Sequence, residues 1–261
     1  MPFQSTSNQI VRFILPQIIG YVLSGGQHWT EGYRIIGILQ IILTAILVFS
    51  LPMWKGQKQA NACETDTAKP LGLREVIRIA GAKEVMITFF CYCALEQTSG
   101  LWASSYLALY KGVPNETAAF FGGMFFIGIT IGRAINGFLT MKFTDTQLIR
   151  LGQGIIGIGV TAMLLPIGQT VSLIGLILVG LGCAPIYPCV IHSTPAHFGE
   201  EKSRALIGVQ MASAYMGTCL MPPLFGLIAN HINVALLPIY LLAILLAMIV
   251  MHERLIRKCE V

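Results

Sequence analysis

Long apolar stretches separated by short polar connections run along almost the whole chain, and their lengths predict eight transmembrane helices. The segments cover about residues 10–25, 34–54, 84–110, 117–141, 148–168, 171–192, 204–229 and 233–252. A helix rises 1.5 Å per residue, so roughly 20 apolar residues cross the hydrocarbon of a bilayer. The first segment is short, carries Arg12 and Pro16, and would be a weak span alone. Two later stretches, Leu151 to Gly199 and Ala205 to Met251, contain no Asp, Glu, Lys or Arg. Each has the length of two spans and a tight hairpin.

The connections alternate in charge. Lys55 to Lys83 holds six basic residues, and Lys142, Arg150, Lys202, Arg204 and the Arg254–Lys258 region add more. The intervening loops, such as Gln27 to Tyr33 and Lys111 to Glu116, are poor in charge. Counting basic residues places the first set, with the C-terminus, in the cytoplasm of a plasma-membrane protein. Gly56 to Pro70 (GQKQANACETDTAKP) has no apolar periodicity and reads as a flexible connection. Leu71 to Ala80 alternates apolar and basic positions, as a short amphipathic helix on the membrane surface would. The organisation expected is therefore two spans in 1–54, a linker in 55–83 and a six-helix bundle in 84–261.

Composition excludes the main alternatives. Apolar residues make up 55% of the chain and charged ones 11%, too few to cover a soluble fold of this size. The net charge of +5 would suit nucleic acid, but the basic residues sit in connections and tails, as topology signals do. The seven cysteines lie mostly inside spans, without the paired loop spacing of a disulfide framework or a zinc site. The N-terminal stretch, Met1 to Gln9, is polar and lacks the basic start of a signal peptide.

One residue carries the chemistry. Glu96 is the only charge between Glu84 and Lys111, near the middle of an apolar run. An acid at membrane depth is costly by a few kcal/mol or more, which makes it a candidate for function. On a helix it shares a face with Tyr92, Ser99, Gly100 and Ala103. It can hydrogen-bond a solute or exchange a proton; the plainer alternative is a neutral or paired acid that joins helices. Arg133, about two turns from its helix end, either makes a gate contact or snorkels to headgroups. Asn136 shares a face with Gly128 and Gly132, a surface on which helix backbones approach closely. Gly180, Gly182, Pro185 and Pro188 predict an interrupted helix around Tyr187, the kind of backbone that lines transporter sites. Tyr187 is then a candidate solute contact or simply sits at a kink. Gln97, Trp102, Gln210 and Tyr215 are similar cases, although an aromatic also serves as an interface anchor. Met221-Pro222-Pro223 predicts a kink that lets its helix flex. His192 and His197 flank Pro195 at a helix end, with no further ligands near them, and read as loop residues.

Several of these stretches resemble one family. Gly128 to Leu139 (GITIGRAINGFL) is similar to the end of the eighth helix of the major facilitator superfamily. Ala184 to Pro188 (APIYP) and Gly208 to Gly226 (GVQMASAYMGTCLMPPLFG) resemble its tenth and eleventh helices. Tyr92 to Tyr106 (YCALEQTSGLWASSY) resembles the seventh helix of the fucose permease-like sugar:proton symporter branch. The resemblance covers roughly residues 15 to 255 and implies an all-α polytopic bundle. By it, the first two spans match helices five and six, and helices one to four are missing, as in a truncated product. The family's loop motif has an Asp where this chain has Met141, which questions the usual charge relay at the cytoplasmic gate.

The resemblance implies secondary active transport of a small polar solute, a sugar or related compound, coupled to protons by alternating access. Glu96, Gln97, Trp102, Tyr187 and Gln210 would line the cavity, with Arg133 and Asn136 at the gate. The alternative is a membrane fragment that packs with partner subunits. The chain has no Walker sequence, no Gly-rich loop after a strand and no nucleophile elbow. No cofactor, metal or nucleic acid is therefore expected, and no enzymatic role; the expected partners are lipid, solute and protons.

Overall fold

The structure, a computed structural model, describes residues 28–61, 73–165 and 167–259. Its described residues are mostly helical, and they belong to two compact units that divide between Pro70 and Leu71. The expected first span, 10–25, lies outside the described residues, as do residues 62–72 of the expected linker at 55–83.

The smaller unit contains α1, Trp29–Asn61. Its apolar residues are exposed around the cylinder, from Tyr33 through Ile41 to Phe49. A helix apolar on all sides belongs in lipid or among other helices. The helix continues past the expected end at residue 54, through Lys55, Lys58 and Ala60. Lys, Gln and Ala are good helix formers, so loss of apolar character ended the expected span without ending the helix.

The larger unit holds α2 (Leu73–Arg78), α3 (Ala82–Leu109), α4 (Asn115–Leu139), α5 (Asp145–Leu164), α6 (Gln169–Phe198), α7 (Glu200–His231), a 3-10 turn (Val234–Leu236) and α8 (Leu237–Cys259). Five of these, α4 to α8, are long and apolar enough to cross a membrane, and so is Thr30–Ser50 of α1. At 28 residues α3 is as long, but its Glu96–Gly100 stretch is more polar. It lies at the centre, touching α4, α6, α7 and α8. On one side α4 and α5 pack onto α6; on the other α7 and α8 pack onto α3. The expected surface helix at 71–80 is shorter, and its Val76 is buried against α3 and α7 rather than turned outward.

Local signals set the helix ends. Thr144 and Gln147 form a reciprocal capping box at the start of α5, with bonds of 3.4 and 3.1 Å. Gly81 precedes α3 with φ +87°, and a side chain there would also meet Phe198 and Leu255 at 3.2 Å. At the same end, Arg150 donates to both carboxylate oxygens of Glu253, at 2.6 and 2.8 Å, and Lys258 reaches Glu84 at 2.5 Å. These pairs are solvent-screened, so Arg150→Ala should lower stability by less than about 1 kcal/mol in a thermal unfolding series. A loss of several kcal/mol would show that the pair is an essential clamp.

One expected element is different. The helix predicted to break around Tyr187 is continuous from Gln169 to Phe198, with Pro185, Pro188 and Pro195 inside it. Close backbone packing is the reason. A proline at 185 leaves the Leu181 carbonyl without its usual N–H donor. Gly132 of α4 lies against that carbonyl, so near that an added Cβ would sit 2.9 Å from it. The Gly132 backbone thus packs against the carbonyl that Pro185 leaves without its helical donor.

Candidate functional site

Glu96 lies near the middle of α3 and is only 6% exposed. The Tyr92 hydroxyl, one turn earlier on the same face, donates a short hydrogen bond to its Oε2. Phe89, Tyr92 and Tyr187 gather around this pair: the Tyr187 ring lies 5.2 Å from Phe89 and 6.2 Å from Tyr92. The phenol of Tyr187 points at Met211 Sδ on α7, 3.8 Å away. Cys93 and Gln97, successive positions on one strip of α3, are partly exposed, as is Tyr187. They form a partly exposed rim beside the buried acid.

Arg133 joins this region. Its side chain is buried, at 9% exposure, so it does not snorkel outward as one sequence reading had it. The charges of Glu96 and Arg133 both act on Tyr92, Cys183 and Tyr187, which places acid and base around one aromatic cluster. The local fold makes this possible. Gly128 and Gly132 bring α4 against the α6 backbone, and an added Cβ at Gly128 would lie 2.6 Å from Ile177 O. Arg133 follows the second glycine directly and is carried into the helix junction.

The other candidates divide between rim and packing. Gln210 is fully buried between α6 and α7, where its amide donates to Thr194 Oγ1 at 3.0 Å. Trp102 donates its indole N–H to the Pro222 carbonyl of α7 at 3.1 Å. Tyr215 is 69% exposed on α7. Asn136 is buried, with its Oδ1 left without a partner, and its side chain reaches the Cys189 thiol of α6.

A second polar group lies at the same end of the bundle as Asn136. Asp145, in the first turn of α5, reaches Cys189 and binds His192 Nδ1 at 2.7 Å. His192, expected in a loop, lies inside α6, because that helix runs on to Phe198. Asp145 stands four positions beyond Met141, where the family's loop acid was expected. The sequence signal for this contact was the Thr144 cap, which fixes Asp145 as a first-turn residue. Among the described residues no group of three or more His, Cys, Asp or Glu could hold a metal ion. A shallow groove of about 490 Å³ on α5, lined by Gly154, Gly157, Ile158, Thr161, Ala162 and Leu165, shares no residue with the Glu96 cluster.

Comparison with known proteins adds the family. The sequence profile of the Major Facilitator Superfamily matches residues 85–258, most of the chain and all of the helices that build the Glu96 site. The chain belongs to the Major Facilitator Superfamily.

It is similar to the yeast protein named Bypass of stop codon protein 6 (Saccharomyces cerevisiae, strain S288c), 24% identical over 157 residues. That match covers 51% of this chain and 31% of the yeast protein. Its fold is like that of the E. coli fucose:proton symporter FucP, with a TM-score of 0.62, 16% identity, and coverage of 72% of this chain and 47% of that one. A structure of FucP in the outward conformation aligns with the same score at 15% identity, over 73% of this chain and 46% of the other. The Major Facilitator Superfamily chain thus spans less than half the length of the relatives it matches, and it is a multi-pass membrane protein with their helical fold.

Proposed function

We propose that this chain forms the solute-binding half of a secondary transporter that moves a small polar solute, a sugar or related compound, with protons. The single observation carrying the proposal is the buried Glu96–Tyr92 pair near the middle of α3, beside the partly exposed Cys93, Gln97 and Tyr187. A carboxyl group in this place accepts hydrogen bonds from solute hydroxyls and can take or release a proton. Aromatic faces such as those of Phe89 and Tyr187 suit the apolar face of a sugar ring. Arg133, buried beside the same aromatic cluster, brings a positive charge to it. Asn136, Asp145 and His192 hold the ends of α4, α5 and α6 together, which suits a gate. Trp102 and Gln210 serve as braces in this reading, with their donors engaged by Pro222 and Thr194.

Membership of the superfamily and the fold shared with a fucose:proton symporter support the reading. The basic residues at Arg254, Arg257 and Lys258 support a cytoplasmic C-terminus in the plasma membrane. The alternative is a non-transporting membrane fragment or an interaction subunit. Uptake of labelled fucose and other neutral monosaccharides into proteoliposomes, with and without an inward proton gradient, tests both. Gradient-driven uptake should fall at least about tenfold in Glu96→Gln, the effect of roughly 1.4 kcal/mol in the barrier. Proton-driven uptake that survives this change would remove Glu96 from the mechanism. No uptake by the chain alone, restored by a co-reconstituted partner, would favour the subunit reading.

A further inference from the structure

α7 contains two adjacent prolines, Pro222 and Pro223, yet remains helical from Glu200 to His231. Each proline lacks an N–H and leaves the carbonyl four residues earlier without its helical donor. Here those are the carbonyls of Thr218 and Cys219, neighbours in a single turn. Two consecutive missing bonds make this the weakest turn of the helix and a natural hinge.

Two side chains from neighbouring helices hold that turn. Trp102 of α3 donates its indole N–H to the Pro222 carbonyl at 3.1 Å. Tyr240 of α8 donates its hydroxyl to the preceding carbonyl, Met221 O, at 3.0 Å, and also lies 3.7 Å from Met221 Sδ. Phe225 stands between them, edge-on to Trp102 at 5.3 Å and tilted against Tyr240 at 5.2 Å. Gly226 completes the fit, because an added Cβ there would come within 3.0 Å of the Trp102 ring. α3 and α8 thus each send one donor to adjacent carbonyls, Met221 and Pro222, at the C-terminal edge of the turn whose Thr218 and Cys219 carbonyls have lost their helical donors.

We propose that Trp102 and Tyr240 form a latch on the Pro222–Pro223 hinge of α7, and that they set how readily this helix bends. Both are positioning residues. Trp102 lies in the same helix as Glu96, so the latch links bending of α7 to the helix that carries the buried acid. The inference does not depend on the transport reading, since it concerns the hinge itself and is measured without solute or gradient.

Amide hydrogen exchange of the full chain in detergent, resolved by peptide, tests it. In Trp102→Phe and in Tyr240→Phe the ring stays and one donor is lost. Peptides covering Met216–Leu227 should exchange at least about threefold faster in each variant, and faster still in the double variant. Peptides from α5 and α6 should keep their rates, which simple loss of packing would not allow. Unchanged exchange across the hinge would overturn the proposal. A rise of equal size in every helix would also overturn it, because it would show a general brace and not a hinge latch. Tyr240→Phe removes only an oxygen and serves alone if the tryptophan variant does not fold.

Discussion

Gly180→Ala is expected to destabilise the six-helix bundle by about 3 kcal/mol, the upper end of the usual cost of overpacking. Alanine is the better helix former by about 1 kcal/mol, so propensity alone predicts the opposite sign. Packing decides against propensity here. A Cβ built on Gly180 would come within 2.2 Å of the Phe125 carbonyl oxygen, an atom of the α4 backbone that cannot rotate away. Relief requires α4 to move off α6, and with it the Gly128 and Gly132 contacts on the same seam. Gly208→Ala is the matched control. Nothing lies within 4 Å of that position, so alanine there should leave stability unchanged or raise it by up to about 1 kcal/mol. Thermal unfolding of the two variants in detergent measures both signs. Equal effects would mean that the α4–α6 seam is looser than described.

The second large effect concerns the site itself. Tyr92→Phe should cost about 2 kcal/mol of stability, the range for a hydrogen bond to a charged or strongly polar group. The bond is buried and joins two residues one turn apart on α3, so no solvent replaces the lost hydroxyl. The same change made in a Glu96→Met background should cost almost nothing, because the acceptor is already gone. The difference between the two costs, a coupling of about 2 kcal/mol, isolates the pair from its surroundings. If Tyr92→Phe costs the same in both backgrounds, the hydroxyl and the carboxyl do not depend on each other. The rim and the uptake experiment would then need a different centre.

The physical origin of each contact explains how much of it was legible. Glu96 and Tyr92 were read together correctly because residues four apart on a helix must lie on one face, whatever surrounds them. The close approach at Gly128 and Gly132 was legible for the same reason, since steps of four place small residues in one row. The course of α6 departs from the expected break: prolines announce lost donors, but not that Gly132 of another helix packs against the Leu181 carbonyl. The environment of Arg133 was also hidden. Periodicity gives its depth along α4, while its burial depends on how closely α4 and α6 approach. Trp102 and Gln210 looked like cavity residues by depth, yet their donors meet acceptors 120 and 16 positions away in the chain.

By itself the sequence determined what one helix can encode. Apolar length set the spans that the described residues confirm, the glycine and capping residues set their ends, and the placement of one acid among apolar neighbours marked its cost. Only the tertiary structure decided which helices share a seam, where Arg133 points, and which donors remain for a solute. The reason is range: helix formation and the cost of burying a charge act over a few residues or a bilayer's thickness. The partners of Trp102 and Gln210, and the burial of Arg133, depend instead on which of several apolar faces finally meet.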